Sequence, residues 1–453
     1  MSLPQYPAYT DSGVAWLGPM PSGWSVKRLR FVAEINPSKS EVSDLPVDTE
    51  VSFLPMEAIG EDGALNLERT RPLSDVQTGY TYFRDGDVAI AKITPCFENG
   101  KGAAMRGLRG GVGFGTTELI VARPKKRHTT SEYLHRLFTS HPFRIAGEAS
   151  MYGAGGQKRV PDDFVRDFAI AFPPLPEQRA IVAFLDRETA KIDALVAEQK
   201  HLIELLKEKR QAVISQAVTK GLDPNVPMKD SGVEWLGEVP AHWMIVRIKA
   251  LSQFTTSGPR GWSERVAETG SLFLQSGDLN DTLGLEIDSA KRVIVGVDAE
   301  AARTRLMEGD VVVCITGAKT GNVALCGPLR EAAYVNQHLC LIRPHLDVHG
   351  RFLALALKGI VGQTQFELSQ YGLKQGLSLE NVRTLFVAQP PRDEQEAIVS
   401  FIDHEVRKID SLLLAADTGV TLLQERRSAL ISAAVTGKID VRALVPQPEG
   451  APA

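Results

Sequence analysis

The stretch PLPEQRAIVAFLDRETAKIDALVAEQKHLIELLKEKRQAVISQAVTKG, residues 174–221, decides how this chain is read. It has the charge density and residue choice of one long helix, and it occurs twice. The second copy opens with RDEQEAIVSFIDHEVRKID at Arg392 and closes with QERRSALISAAVTGKID. At one constant offset Glu177-Gln178 return as Glu394-Gln395, Phe184 as Phe401 and Asp186 as Asp403. Lys191-Ile192-Asp193 return as Lys408-Ile409-Asp410, and Ala217-Val218-Thr219 as Ala434-Val435-Thr436. The match needs no gap, so the chain contains a duplication.

Apolar residues in the first copy recur every seven positions. Leu185, Ile192, Leu206 and Val213 form one row, interrupted by Gln199; Ile181, Leu195 and Leu202 form the other, interrupted by Glu188 and Lys209. Two such rows make the narrow seam of a coiled coil rather than a broadly buried helix. The second copy repeats the seam through Ile402, Ile409, Leu423 and Leu430, with Gly419 as its weak point. Each helix is roughly 65 Å long at about 1.5 Å per residue. Neither can bury its seam alone, and the expected partner is the other copy.

Working outward, the segment before the first helix repeats as well. Asp11-Ser12-Gly13-Val14-Ala15-Trp16-Leu17-Gly18 returns as Asp230-Ser231-Gly232-Val233-Glu234-Trp235-Leu236-Gly237, and Pro21 and Trp24 fall on Pro240 and Trp243. Each leader runs into a short alternating strand, Val26–Leu29 or Ile245–Ile248. Between leader and helix the copies diverge but keep landmarks. FRDGDVAIAKI at Phe83 parallels LMEGDVVVCIT at Leu306, a Gly-Asp turn and then an apolar strand. Leu119–Pro124 parallels Leu339–Pro344. A helix-like stretch, a Gly-containing loop (YGAGGQKRVPDDFV or YGLKQGLSLENV) and a last strand ending in prolines complete each half. The expected divisions are 1–173, 174–221, 222–391, 392–441 and a disordered tail over 442–453. Helices and leaders stayed alike while the parts between them drifted, which suggests two similar adaptors carrying two different readers.

At 453 residues, 43% hydrophobic and 23% charged, the chain has the composition of an ordinary globular protein of two or three domains. No run of about 18 apolar residues suits a membrane span, and MSLPQYPAYTDSG lacks the basic and apolar regions of a secretory signal. Cys96, Cys314, Cys326 and Cys340 are scattered without paired spacing, as expected of reduced thiols in a cytoplasmic protein. The net charge of −4 excludes a purely charge-driven polyanion binder but leaves room for local basic patches.

The leader pattern DSGxxWLGxxPxxW and the PPLPEQxAI entry to the long helix resemble the specificity subunit of Type I restriction–modification systems over nearly the whole chain. The second entry, Pro390-Pro391-Arg392-Asp393-Glu394-Gln395, lacks the Leu-Pro of the first. The resemblance implies an α+β protein. Two mixed α/β target-recognition domains stand in pseudo-twofold tandem repeat, separated by two long antiparallel coiled-coil helices. Each domain would read one half of a bipartite, asymmetric site in double-stranded DNA, and the helix pair would set the unread spacer. Two methyltransferase (modification) subunits would dock on the repeated regions, and restriction/translocase subunits would join them. S-adenosylmethionine, ATP and Mg would belong to those partners, leaving this chain without cofactor, metal or catalytic activity.

A reader needs groups for base edges and cations for phosphates. In the first domain, the turn after the apolar strand offers Lys92, Thr94, Asn99 and Lys101, followed by Arg106 and Arg109. The equivalent turn of the second domain offers Lys319, Thr320 and Asn322. The Gly-containing loops offer Gln157, Lys158 and Arg159, and Lys374 and Gln375; glycine there lets backbone approach a phosphate. Arg260 and Trp262 could brace DNA, and the run Lys125-Lys126-Arg127-His128 could meet phosphate. Catalytic alternatives fare worse. Gly317-Ala318-Lys319-Thr320 looks like the end of a phosphate loop, but Val312 stands where the leading glycine is required. The carboxylate and lysine of Glu98-Asn99-Gly100-Lys101 lack the spacing of common nuclease cores. The remaining rival is a coiled-coil scaffold whose domains no longer bind DNA, or bind protein.

Overall fold

The computed structural model describes residues 3–154, 156–370 and 376–445. They form two compact units, residues 1–199 with 418–453, and residues 200–417. The long helices run over Leu175–Lys220 and Arg392–Val435, so each contributes its beginning to one unit and its end to the other. Units and repeats therefore differ in their boundaries. Cores, not sequence similarity, define the units.

In the first unit a hairpin pairs Tyr9–Asp11 with Pro19–Pro21. Ser25–Arg28, the expected opening strand, pairs with the last strand, Ala169–Phe172. A four-stranded antiparallel sheet takes the order Ala33–Ile35, Leu119–Pro124, Val88–Ala91, Gly102–Ala104. A second sheet takes the order Thr70–Pro72, Glu50–Leu54, Val112–Gly115, Thr81–Arg84, with its middle pair parallel. The second unit repeats this plan except at the edges of its second sheet, where the fourth strand lies on the opposite side. Met228–Asp230 pairs with Glu238–Pro240, and Met244–Arg247 with Phe386–Gln389. Ser252–Ser257, Leu339–Pro344, Val311–Cys314 and Val323–Leu325 form its first sheet. Val266–Ala267, Lys291–Val293, Ser271–Leu274 and Ala333–Val335 form its second. Cys314, Cys326 and Cys340 are free and buried here. Each stretch read as one helix is two: Ser131–Phe138 with His141–Ser150, and Gly350–Lys358 with Ile360–Ser369. Pro142 suits the first turn of a new helix, and Gly359 caps the break in the other copy.

The repeated Gly-Asp turns have a defined physical role. Gly86 and Gly309 sit at φ of 90° and 88°, where a side chain would strain the backbone. The following Asp87 accepts from the backbone N–H of Arg84 and from Arg123 Nε and Nη2. Asp310 does the same with Met307 N–H and Arg343. Both aspartates are 1% exposed. Burial works against the Arg123 charge, but Asp87 and then Glu41 hold its pKa above the ordinary value.

The repeated Glu-Gln is explained as well. Gln178, fully buried, donates to the carbonyls of His128 and Pro173 and accepts from Thr129. Gln395 donates to Asp347 and Pro390 carbonyls and accepts from His349 N–H. Glu177 accepts from Tyr6 and Trp24, while Glu394 meets His242. These bonds pin the start of each long helix to its own domain.

Helix packs on helix within each unit. Ile181, Phe184 and Leu185 share a core with Ile431, Ala434 and Val435, and Asp193 pairs with Arg427 at 2.8 Å. In the second unit Ala217 and Val218 share a core with Ile398, Val399 and Ile402, and Arg210 pairs with Asp410 at 3.5 Å. In both cases one index falls as the other rises, so the segments are antiparallel. Leu185, Ile192, Leu206, Ile402 and Ile409 are buried; Val213, Leu423 and Leu430 are half-buried. The other row of the first helix holds at Ile181, which is buried, and is shifted by one residue from the sequence reading further along. Leu195 and Leu202 are exposed, Ile203 is buried and Val196 half-buried. The two rows carry equal numbers of apolar residues, so spacing alone does not choose between them; the observed row also takes in Arg210, ion-paired with Asp410.

Gly419 continues the second helix, and a Cβ built on it meets nothing within 4 Å. Gly419→Ala should therefore raise stability by about 0.5–1 kcal/mol through helix propensity alone. Denaturant unfolding reads this, and a loss of stability would show that the position is closer packed than its surroundings indicate. Residues 442–445, assigned to a disordered tail, are held in place, and the rest of that assignment lies outside the described residues. Val441 is fully buried, the Arg442 guanidinium lies 5.0 Å from the Tyr6 ring, and Leu444 carbonyl accepts from Arg187. Apolar residues on both sides of Arg442 hold it to the core.

Candidate nucleic-acid interface

In both units the turn after the central apolar strand and the Gly-containing loop join into one surface. Lys92 N–H donates to Glu118 carbonyl at 2.8 Å, and Val160 N–H to Lys92 carbonyl at 2.8 Å. In the second unit Ile315 N–H donates to His338 carbonyl at 2.9 Å, and Leu377 N–H to Ile315 carbonyl at 2.8 Å. Isolated bridges Ile93–Arg159 and Thr316–Gly376 complete the match. The backbone register is the same, so Lys92 corresponds to Ile315, Glu118 to His338, and Arg159 to Gly376.

Several candidate residues brace this surface from within. Thr94 donates to Gly156 carbonyl at 2.6 Å and accepts from Lys158 N–H at 3.1 Å. Asn99 donates to Glu61, and Lys101 to Met56 carbonyl. Lys319 donates to Gly277 and Leu279 carbonyls, and Thr320 to Gly317 carbonyl. Asn322 donates to Leu279 carbonyl and accepts from Lys358. Lys101 and Lys319 thus perform one job in two units: each ties its turn to the loop beside it.

Other candidates stand outward. Arg106, Gln157, Lys158 and Arg260 are exposed, and Lys92 is half-buried. Arg109 is exposed, its backbone N–H bound by Ser52. Arg159 forms a two-pronged pair with Glu118, Nε to Oε2 at 2.9 Å and Nη2 to Oε1 at 2.7 Å. That bond, with Lys92 nearby, holds the Glu118 pKa below the usual carboxylate range. Trp262 is 1% exposed between Phe273 and Tyr334, so it packs the core and does not present its ring outward. Lys125 donates to Arg30 carbonyl, and His128 carbonyl receives Gln178, which places the basic run at the helix entry. Lys374 and Gln375 lie outside the described residues.

Four residues of this surface escaped the sequence reading: Glu118, Tyr152, Gln337 and His338. Tyr152, 64% exposed, lines with Lys92, Arg159 and Arg166 a cavity of about 380 Å³ that also touches Asp162 and Asp163. The signal was available. Glu118 and His338 immediately precede the aligned Leu119 and Leu339, at the point where the matching strand begins.

Comparison with known proteins agrees with this architecture. The family model described as the Type I restriction modification DNA specificity domain matches twice, over residues 21–205 and 240–412. The specificity subunits of the Type I restriction enzymes EcoAI and EcoEI, both from Escherichia coli, are 46% and 44% identical over 188 residues. Each match covers 41% of this chain and 31% of the relative, so it spans about a third of those proteins. A solved structure bearing on complex assembly and conformational transition of the type I R-M system matches with TM-score 0.75 at 19% identity, covering 92% of this chain and 98% of that one. The HsdS subunit of Thermoanaerobacter tengcongensis matches with TM-score 0.57 at 19% identity, over 93% and 98%. With the specificity-domain pattern matched in both halves and the fold shared along its length, the chain belongs to the family of Type I restriction–modification specificity subunits.

Proposed function

We propose that this chain is the DNA sequence-recognition subunit of a Type I restriction–modification complex. Each domain reads one half of a bipartite, asymmetric site in double-stranded DNA. The antiparallel helix pair sets the spacer and, with the leaders, docks methyltransferase subunits; restriction subunits join them. S-adenosylmethionine, ATP and Mg belong to those partners, and this chain contributes no catalytic group. One observation carries the reading. The same backbone frame occurs twice, held by the same Asp–Arg pair and the same buried Gln, yet it presents different side chains. A repeated frame with changed groups suits two readers of different sequences, much as paired DNA-binding modules read paired half-sites.

The test is to co-express the chain with the methyltransferase subunit of its own system and map methylated adenines across the host genome. A split motif with two fixed halves and one spacer length is expected. A continuous motif, or no methylation from an assembled complex, would overturn the proposal.

A further inference from the structure

The two frames share a register, so differences in side chain at equivalent positions are the natural origin of different half-sites. At one such position the first unit carries Glu118 with Arg159. The Arg159 Nε and Nη2 donate to the Glu118 carboxylate, and Nη1 has no protein acceptor among the described residues. The Arg159 side chain is about one-third exposed (35%) and that of Glu118 less so (24%), so the fork is fixed in direction while part of the side chain stays open to solvent. A fixed, planar fork of this kind matches the O6 and N7 acceptors of guanine. Gly-containing backbone on the same loop keeps the approach open, and Lys158 and Gln157 beside it are exposed.

The second unit has Gly376 at the register of Arg159, which carries no side chain. The polar groups come instead from the strand start. His338 Nδ1 lies 2.5 Å from Thr316 Oγ1, and its Nε2 lies 3.3 Å from the amide nitrogen of Gln337. An amide held this way suits the N6 and N7 edge of adenine, which an arginine does not.

We propose that Arg159, oriented by Glu118, reads a guanine in one half of the site, and that Gln337 with His338 occupies the equivalent place and sets a different base in the other. This rests on the DNA-recognition reading above and names the residues that make the two halves unlike. Glu118 is a positioning residue; Arg159 and Gln337 meet the bases.

The test uses the full chain co-expressed with its methyltransferase subunit, comparing wild type with Arg159→Ala, Arg159→Lys and Glu118→Gln by mapping methylated adenines. Arg159→Ala should relax one base of one half, discrimination falling about five- to 150-fold, with the other half and the spacer unchanged. Arg159→Lys keeps the charge without the fork and should relax the same base. Glu118→Gln should weaken the preference at that base alone. If Glu118 and Arg159 merely tie the loop to the strand, the purified complexes melt earlier while every motif position stays as sharp as in wild type, and the proposal falls. Relaxation in both halves at once would overturn it too. Should Arg159→Ala methylate nothing, the Arg159→Lys motif decides. A wild-type chain that yields no two-part motif would instead remove the underlying reading, which separates the two failures.

Discussion

Asp310→Ala should destabilise the second unit by about 3–5 kcal/mol, and Asp87→Ala the first by less, because Arg123 keeps a second carboxylate partner in Glu41 at 2.6 Å. Each aspartate is almost fully buried and receives two guanidinium N–H groups, at 2.7–2.9 Å in both units. Removing the carboxylate leaves Arg343 half-desolvated without a carboxylate partner, leaves Arg123 with Glu41 alone, and frees the N–H of Met307 or Arg84 that the same carboxylate caps. The cost comes from the stranded charge rather than from the worth of the pair. Replacing both members, Asp310→Leu with Arg343→Met, should therefore recover most of the loss. Because the chain has two units, a single unfolding transition is not assured, and hydrogen exchange in Val311–Cys314 and Val88–Ala91 gives the unit-resolved measurement. A loss of less than about 1 kcal/mol from Asp310→Ala would mean the pair is solvated enough to matter little.

Much of this fold was legible because duplication prints the same constraint twice. Glu177-Gln178 and Glu394-Gln395, the two Gly-Asp turns, and the two Arg-Pro strand ends all stood out as repeats. Each proves to be a buried polar anchor whose partner lies far along the chain. The repeat revealed that such residues matter but not what they bond. Asp87 and Arg123, for instance, carry no local signal of pairing, since the ladder between Val88–Ala91 and Leu119–Pro124 brings them together. The helix seam was half legible. Period seven located the row through Leu185 and Ile192, but it did not separate Leu195 and Leu202 from the equally apolar row of Val196 and Ile203, which also holds Arg210. The ion pair with Asp410 makes that arginine compatible with the seam, a long-range fact that no window of sequence contains.

The candidate interface was legible as places, less so as residues. Both the post-strand turn and the Gly-containing loop were singled out, and the structure joins them. Yet choosing cations and amides by type gathered braces such as Lys101, Lys319 and Asn322 along with outward groups such as Lys158. A loop tip must satisfy its own backbone carbonyls, and lysine and asparagine do that as readily as they meet phosphate. An acid such as Glu118 is a poor first guess for a candidate DNA-binding surface; its role in the structure is to fix an arginine.

Exchange of residues 25–173 for those of a family member with a different specificity should replace one half of the recognised sequence entirely and leave the other half and the spacer unchanged. With each mismatched base worth about 1–3 kcal/mol, a half-site of a few bases shifts preference by several orders of magnitude. The exchanged segment carries the first frame: Arg159, Glu118 and the Asp87–Arg123 pair. It leaves in place Glu177, Gln178 and Asp186, whose partners include Trp24, Thr129 and Arg136. The donor must therefore supply equivalents of Thr129 and Arg136, or the helix entry loosens and the spacer becomes a second variable. Mapping of methylated adenines gives both quantities at once. A new first half beside an unaltered second half is what independent readers on a common support require. A change in the second half would mean that the domains read the site jointly, and the division of labour inferred from the duplicated frame would have to be abandoned.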